Sequence, residues 1–246
     1  MTQVASRSYK AIFFDLDGTL IPMDGEEFIR RYFKELGKFL LAEGYEDPKF
    51  WIDCVNKGTY AMIEGNNGAT NEETFWQAFC NLADCDRNEF EPVIDRFYNT
   101  NYNNIGSDLE RFDLAVQAID TLRQKGYPLY LTTMPLFPRV GVANRLQWVG
   151  LDAASFEEIT SYDKARHVKP SLDYYKENIA RAGVPAANIL VVGNNTAEDL
   201  VAMELGCDAF LVTDWIIDPK HYDYSAIKHG SFADFLNFVQ QLPPCK

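Results

Sequence analysis

Four short apolar runs constrain this chain more than any other feature. Residues 9–16 (YKAIFFDL), 127–133 (YPLYLTT), 188–193 (NILVVG) and 208–213 (DAFLVT) are nearly continuous in apolar side chains, and each gives way to turn or polar residues. Residues 156–160 form a shorter fifth run. A strand with one face in water alternates apolar and polar residues, whereas a run apolar throughout belongs to a parallel strand covered on both faces. Helical spacing separates the runs. Phe112, Val116, Ile119 and Leu122 lead to Gly126; Val140, Ala143, Leu146 and Val149 to Gly150; Leu172, Tyr175, Ile179 and Ala182 to Gly183; Leu200, Val201 and Leu205 to Gly206. Each glycine suits the residue after a helix end, where the left-handed conformation is favoured. Strand and helix alternate, so the sequence predicts an α/β fold with a doubly wound, Rossmann-like parallel sheet.

Residues 22–108 break the alternation. They contain no convincing strand. Phe28, Ile29, Tyr32, Phe33, Leu36, Phe39 and Leu40 make an amphipathic stripe, and Phe90, Val93, Ile94 and Phe97 make another. Thr70 and Glu73 have capping-box spacing before Phe75, Trp76 and Phe79. Four helices in a small bundle, inserted after the first strand, fit this segment. The expected division is a discontinuous α/β domain, residues 1–21 and 109–246, interrupted by a helical domain, residues 22–108. A chain of 246 residues is long enough for both cores.

Charge and cysteine use exclude several function classes. The net charge of −13 argues against the broad basic face that nucleic acid or an anionic membrane requires, while leaving an anionic small substrate open. Residues 1–10 lack the apolar stretch of a signal peptide, and the run 11–14 is far short of a membrane span. Cys54, Cys80, Cys85, Cys207 and Cys245 are odd in number and scattered, which fits reduced thiols in a cytoplasmic protein. Cys54 and Cys207 read as buried thiols. With only His167, His221 and His229 to add, a zinc site is not expected, and His167 reads as a surface residue.

The chemistry concentrates at the end of the first run, in Asp15-Leu16-Asp17-Gly18-Thr19-Leu20. Two carboxylates follow a buried strand, and a turn at Gly18 can aim both at one cleft beyond the carboxyl ends of the strands. They repel unless a cation or a shared proton relieves them. One suits a nucleophile and the other a general acid and base. The plain alternative, loop carboxylates capping a turn, is weakened by the strand before the pair and the Gly-Thr after it.

The motif DLDGTL resembles the first motif of the haloacid dehalogenase superfamily. The family's other motifs follow in order: Thr132 in Leu129-Tyr130-Leu131-Thr132, Lys169 followed by Pro170, and the loop Val192-Gly193-Asn194-Asn195-Thr196-Ala197-Glu198-Asp199. Motifs cover residues 9–20 and about 110–215, and the helical insert lies where the family carries a helical cap. The resemblance implies that Asp15 attacks phosphorus to form an aspartyl-phosphate and that Asp17 protonates the leaving alcohol, then deprotonates the attacking water. An acid at Asp17 favours the phosphatases over the dehalogenases. Gly18, Thr132, Thr133 and Lys169 would bind the phosphoryl group. Magnesium would be held by Asp15, the backbone carbonyl of Asp17, Asn194 and Asp199.

Several of these assignments compete with structural readings. Thr132 could cap a helix beginning near Phe137, and Thr133 stands where many relatives carry Asn. Lys169 could be a solvated residue before a helix. Asn194 occupies a position where the family usually has Asp, which removes one negative charge and predicts weakened magnesium affinity. Asp199 could coordinate directly, through water, or cap a backbone amide from the box Thr196 to Asp199, and Glu198 is a third candidate. Residues 22–108 hold 17 acidic and 8 basic residues, a net of −9, with Arg30, Arg31 and Lys34 as cations on the first helix. Residues 22–26 should lie nearest the cleft.

The expected function is a magnesium-dependent phosphomonoesterase acting on a small phosphorylated metabolite, with no nucleic-acid or membrane partner. The alternatives are a sugar-phosphate mutase with the same motifs, or a phosphate-binding regulatory protein with weakened catalysis. Phosphonate hydrolysis is disfavoured because no lysine stands out in the insert.

Overall fold

The computed structural model describes residues 8–65 and 68–245. Most of the amino-terminal stretch read above, residues 1–7, lies outside the described residues. Six parallel strands form one sheet: β1 (Ala11–Phe14), β2 (Leu129–Leu131), β3 (Glu158–Ile159), β4 (Ile189–Gly193), β5 (Asp208–Val212) and β6 (Lys228–Gly230). Their order is β3-β2-β1-β4-β5-β6. The chain steps outward from β1 through β2 to β3, then returns to the other side of β1 as β4. That reversal is a topological switch point, and it opens a crevice at the carboxyl ends of β1 and β4.

The sheet is apolar on both faces. Ile12, Phe14, Leu129, Leu131, Leu190 and Val192 point to one side, and Ala11, Phe13, Ile189 and Val191 to the other. Helices cover both layers: α5 (Asp113–Gln124), α6 (Arg139–Trp148), α7 (Leu172–Ala182) and α8 (Phe232–Gln241). Four helices precede them in residues 22–108: α1 (Gly25–Ala42), α2 (Pro48–Glu64), α3 (Asn71–Ala83) and α4 (Arg87–Asn99), followed by a 3-10 turn at Asn101–Gly106. Among the described residues no strand interrupts them, and no helix is long and apolar enough to cross a membrane.

The structure corrects the sequence reading in three places. Residues 200–205 form a 3-10 helix, Leu200–Leu205, not an α-helix. The buried face of α6 is Gly141, Val142, Arg145 and Leu146, rotated from the expected Val140–Ala143 stripe. Strand β6 and helix α8 complete the sheet and its cover but were not anticipated.

The insert is joined to the sheet layer by one continuous apolar cluster, running from Phe14 and Leu131 through Val142 and Leu146 to Phe28, Tyr32, Phe97 and Tyr102. The first turn of α3 is also tied down. Thr70 forms the expected capping box with Glu73. The next two amides, which no helical carbonyl can reach, donate to core carbonyls: Asn71 N–H to Ala165 O at 2.8 Å and Glu72 N–H to Tyr162 O at 2.9 Å. The Asn71 side chain donates to Pro135 O at 3.1 Å.

Candidate active site

Strand β1 ends at Phe14, and the chain carries Asp15, Asp17 and Gly18 directly into the crevice between β1 and β4. They line a cleft of about 140 Å³ with Thr133, Asn194, Asn195 and Glu198. Met23, Asp24 and Gly25 close one side, as expected for residues near the start of the insert, and Trp215 and Ile217 close the other. Gly18 is required twice. Its φ is +73°, and a Cβ there would lie 2.2 Å from Asn194 Nδ2.

Lys169 organises the acids. Its side chain is 1% exposed, and its Nζ donates to Asp15 Oδ1 at 2.7 Å and to Asp199 Oδ1 at 2.6 Å. Burial alone would lower the ammonium, but Asp15 and Asp199 outweigh it and hold Lys169 well above its ordinary value. Burial pushes the Asp15 carboxyl up to about 7, with Asp199 and Asp17 adding to the rise and Lys169 opposing it. Burial likewise holds Glu198 above the usual carboxylate range, against the pull of Lys169.

Asp199 takes the amide-capping role weighed for it, on Asn195 rather than within a Thr196 box, and adds a bond to Lys169 that was not expected. Oδ1 accepts from Lys169 and Oδ2 accepts from the Asn195 amide at 2.9 Å. Gly193 makes room for this arrangement, since a Cβ there would fall 2.1 Å from Asp199 Oδ2. The expected box on Thr196 is not formed. Asn195 Oδ1 accepts from the amides of Ala197 and Glu198 instead, and Thr196 Oγ1 donates to Asp218 Oδ1.

Asn194 sits at the base of the cleft with both ends of its amide engaged. Nδ2 donates to Trp215 O at 2.5 Å, and Oδ1 accepts from Thr19 Oγ1 at 3.2 Å. An oxygen has a second lone pair, so Oδ1 keeps acceptor capacity. Thr132 does not cap a helix: α6 begins after Pro138 with no side-chain cap. Its Oγ1 donates back to Phe14 O at 3.2 Å, and it is Thr133 that lines the cleft. His167 is half-exposed and contacts Glu177 at 2.8 Å, and Cys54 and Cys207 are buried. Arg30 and Arg31 pair within the insert, with Glu27 and, for Arg31, Asp108; neither lines the cleft.

Sequence reasoning missed Arg145. Its side chain is 1% exposed, and Nη1 donates to Asp17 Oδ2 at 2.6 Å. The guanidinium lies against a pair of rings, 4.9 Å from Phe28 on α1 and 4.8 Å from Phe137, which meet each other edge to face. Cation–π attraction to the two rings offsets part of the desolvation of a buried cation. Nε and Nη2 find no hydrogen-bond partner. A signal was available: Arg145 sits three residues after Val142 and one before Leu146, inside the buried stripe of its helix. Trp215 and Ile217 were likewise missed as parts of this cleft, as was Thr19 behind Asn194.

Among the described residues, no three His, Cys, Asp or Glu side chains converge into a ready-made metal cage. The cleft instead carries an acid excess. Asp15, Asp17, Asp24, Glu198 and Asp199 outnumber the cations that reach the acids, Lys169 and Arg145.

Comparisons with known proteins agree with this architecture. A family profile described as haloacid dehalogenase-like hydrolase matches residues 9–205. Pyrophosphatase PpaX of Bacillus velezensis is 24% identical over 196 residues, 80% of this chain and 79% of that protein. A crystal structure described as a predicted phosphoglycolate phosphatase from Haemophilus somnus superposes with a TM-score of 0.56 at 19% identity, covering 94% of this chain and 98% of that one. A 2-haloacid dehalogenase from Pseudomonas syringae superposes with a TM-score of 0.61 at 17% identity, over 94% and 98% of the two chains. At these identities the structural likenesses speak for the fold.

Proposed function

The chain belongs to the haloacid dehalogenase-like hydrolases, and we propose that it is a magnesium-dependent phosphatase of small phosphorylated metabolites. The observation that carries this reading is the pairing of Asp15 on Lys169 with Asp17 two residues on, both lining one cleft at the switch point of the sheet. The phosphatase relative PpaX is in keeping with it.

The residues fit a hard divalent cation. Oxygen donors line the cleft, among them Asp15, Asp17, Asn194 and Glu198. A cleft with more acids than cations attracts a dication. Magnesium favours one or two carboxylates and retained waters over an all-protein cage. Asp15, the Asp17 carbonyl and Asn194 would hold it, and Asp199 would act at one remove by fixing Lys169. Bound there, the cation neutralises charge on the phosphoryl oxygens.

The chain's own groups supply the remaining steps. Lys169 holds Oδ1 of Asp15, which leaves Oδ2 to attack phosphorus. The bond from phosphorus to the ester oxygen breaks as the aspartyl-phosphate forms, and Asp17 gives its proton to the departing oxygen. Asp17 then takes a proton from water as that water attacks the same phosphorus, which releases inorganic phosphate and restores Asp15. Residues 22–108 act as a cap on a core of residues 1–21 and 109–246, excluding water from the cleft.

The test is hydrolysis of an aryl phosphate and of a panel of phosphorylated metabolites. Turnover is expected to disappear on chelation and in Asp15→Asn, and Asn194→Asp is expected to tighten magnesium. Retained hydrolysis in Asp15→Asn sinks the covalent mechanism. A second reading, a phosphate-binding protein with little turnover, draws on Asn194 and on the Arg145–Asp17 pair. Phosphate binding without Asp15-dependent turnover of any panel member would favour it.

A further inference from the structure

A second cavity, of about 320 Å³, lies between the helices of the insert and the core residues Leu136, Phe137, Pro138 and Tyr162, and shares no lining residue with the Asp15 cleft. Its volume falls at the lower end of the roughly 300–1,000 Å³ of small-molecule sites. Interiors are otherwise packed with few voids larger than a water, so a space of this size in an aromatic bundle calls for an occupant. The lining is chemically one-sided. More than half of the residues around it are aromatic, and among the described residues none is charged. The floor is buried, with Tyr32, Trp76, Phe79 and Tyr98. The mouth opens to solvent between α1 and α2, where Ile29, Tyr60 and Ile63 are 42%, 64% and 46% exposed. Large apolar side chains grouped at the entrance of an apolar cavity are a marker of ligand entry rather than scattered surface noise.

One polar group qualifies this picture. The Trp76 indole N–H is buried near the Tyr162 hydroxyl and meets no acceptor in hydrogen-bond geometry. A buried donor left unmet is costly, and an oxygen on a ligand would meet it. From the cavity, its aromatic lining, its apolar mouth and this donor, we infer that the space between insert and core binds an uncharged, ring-bearing small molecule carrying one acceptor oxygen. The ligand is separate from the phosphate ester in the cleft, because Phe28, Arg145 and Phe137 stand between the two spaces. Phe137 is at once a wall of the cavity and a ring stacked on the Arg145 guanidinium that holds Asp17.

Binding of 2-naphthol, followed by calorimetry and tryptophan fluorescence, tests this directly. The wild-type chain is expected to take up one molecule saturably. Thr59→Phe, which fills the half-buried wall, is expected to weaken it about tenfold or more, and so is Ile63→Lys, which alters only the exposed mouth. Unchanged thermal melting shows that each variant has folded. Asp15→Asn and an excess of inorganic phosphate are expected to leave the affinity unchanged. The inference is overturned if the wild type shows no saturable uptake, if folded variants of both kinds bind as the wild type does, or if phosphate displaces the naphthol. The readout is binding, so a failure of the phosphatase reading leaves it untouched.

Discussion

Arg145 shows how one residue can govern another's chemistry. Asp17 projects from a loop after β1, and a carboxylate on a loop samples many directions. A single bond from a buried guanidinium held against Phe28 and Phe137 fixes one of its oxygens. Arg145 is therefore a positioning residue. Arg145→Met is expected to lower kcat on an aryl phosphate by about 10²-fold, the lower end of a general acid–base contribution, while KM changes little. Arg145→Lys is expected to recover only part of the loss, because an ammonium lacks the planar, weakly hydrated face that packs against aromatic rings. A matching rise in KM would mean instead that the side chain contacts substrate. Asp15, Asp17 and Lys169 were legible because strand-end acids and a following lysine keep their order in sequence. Arg145 was not, because a charged residue on a helix reads as solvated until the phase of the buried face is known. Asn194 was legible as a departure, but not its use of Trp215 O and Thr19, which depends on a loop brought in by β5.

At the scale of elements, what the sequence revealed tracked burial. β1, β2, β4 and β5 were visible because both faces are covered and every residue is apolar or nearly so. β6 was invisible: its three residues, Lys228–Gly230, are half-buried or exposed at the sheet edge and carry no apolar pattern. The box on Thr70 was legible, yet the docking of α3 was not, because its partners lie some ninety residues away. That docking has a measurable weight. Asn71 is fully buried, and Asn71→Ala leaves the Pro135 carbonyl without its donor. The expected cost is about 1–3 kcal/mol, read as a fall in melting temperature of several degrees. In the wild type the amides of Asn71 and Glu72, normally the fastest-exchanging positions of a helix, are expected to be protected by Ala165 and Tyr162. Rapid exchange at both would show that the insert does not rest on the core in solution.

For the molecule as a whole the question is whether insert and core unfold together. Separate domains joined by a thin polar seam melt separately, whereas here one apolar cluster crosses the boundary through Phe28, Phe137, Val142 and Leu146. Stripping the insert away would expose that seam and unpair the first turn of α3, so partial unfolding has little to gain. The enthalpy decides the matter. At about 0.7 kcal/mol per residue, all 246 residues melting as a unit give a van't Hoff enthalpy of about 170 kcal/mol near 60 °C. Residues 1–21 and 109–246 alone would give about 110 kcal/mol. One transition with matching calorimetric and van't Hoff enthalpies near the larger figure is expected. The charge distribution sharpens the test. The acid excess of residues 22–108 repels itself at low ionic strength, and salt screens it. If the insert is coupled to the core, added salt raises the temperature of the single transition. If it is not, salt moves one of two transitions and leaves the other in place.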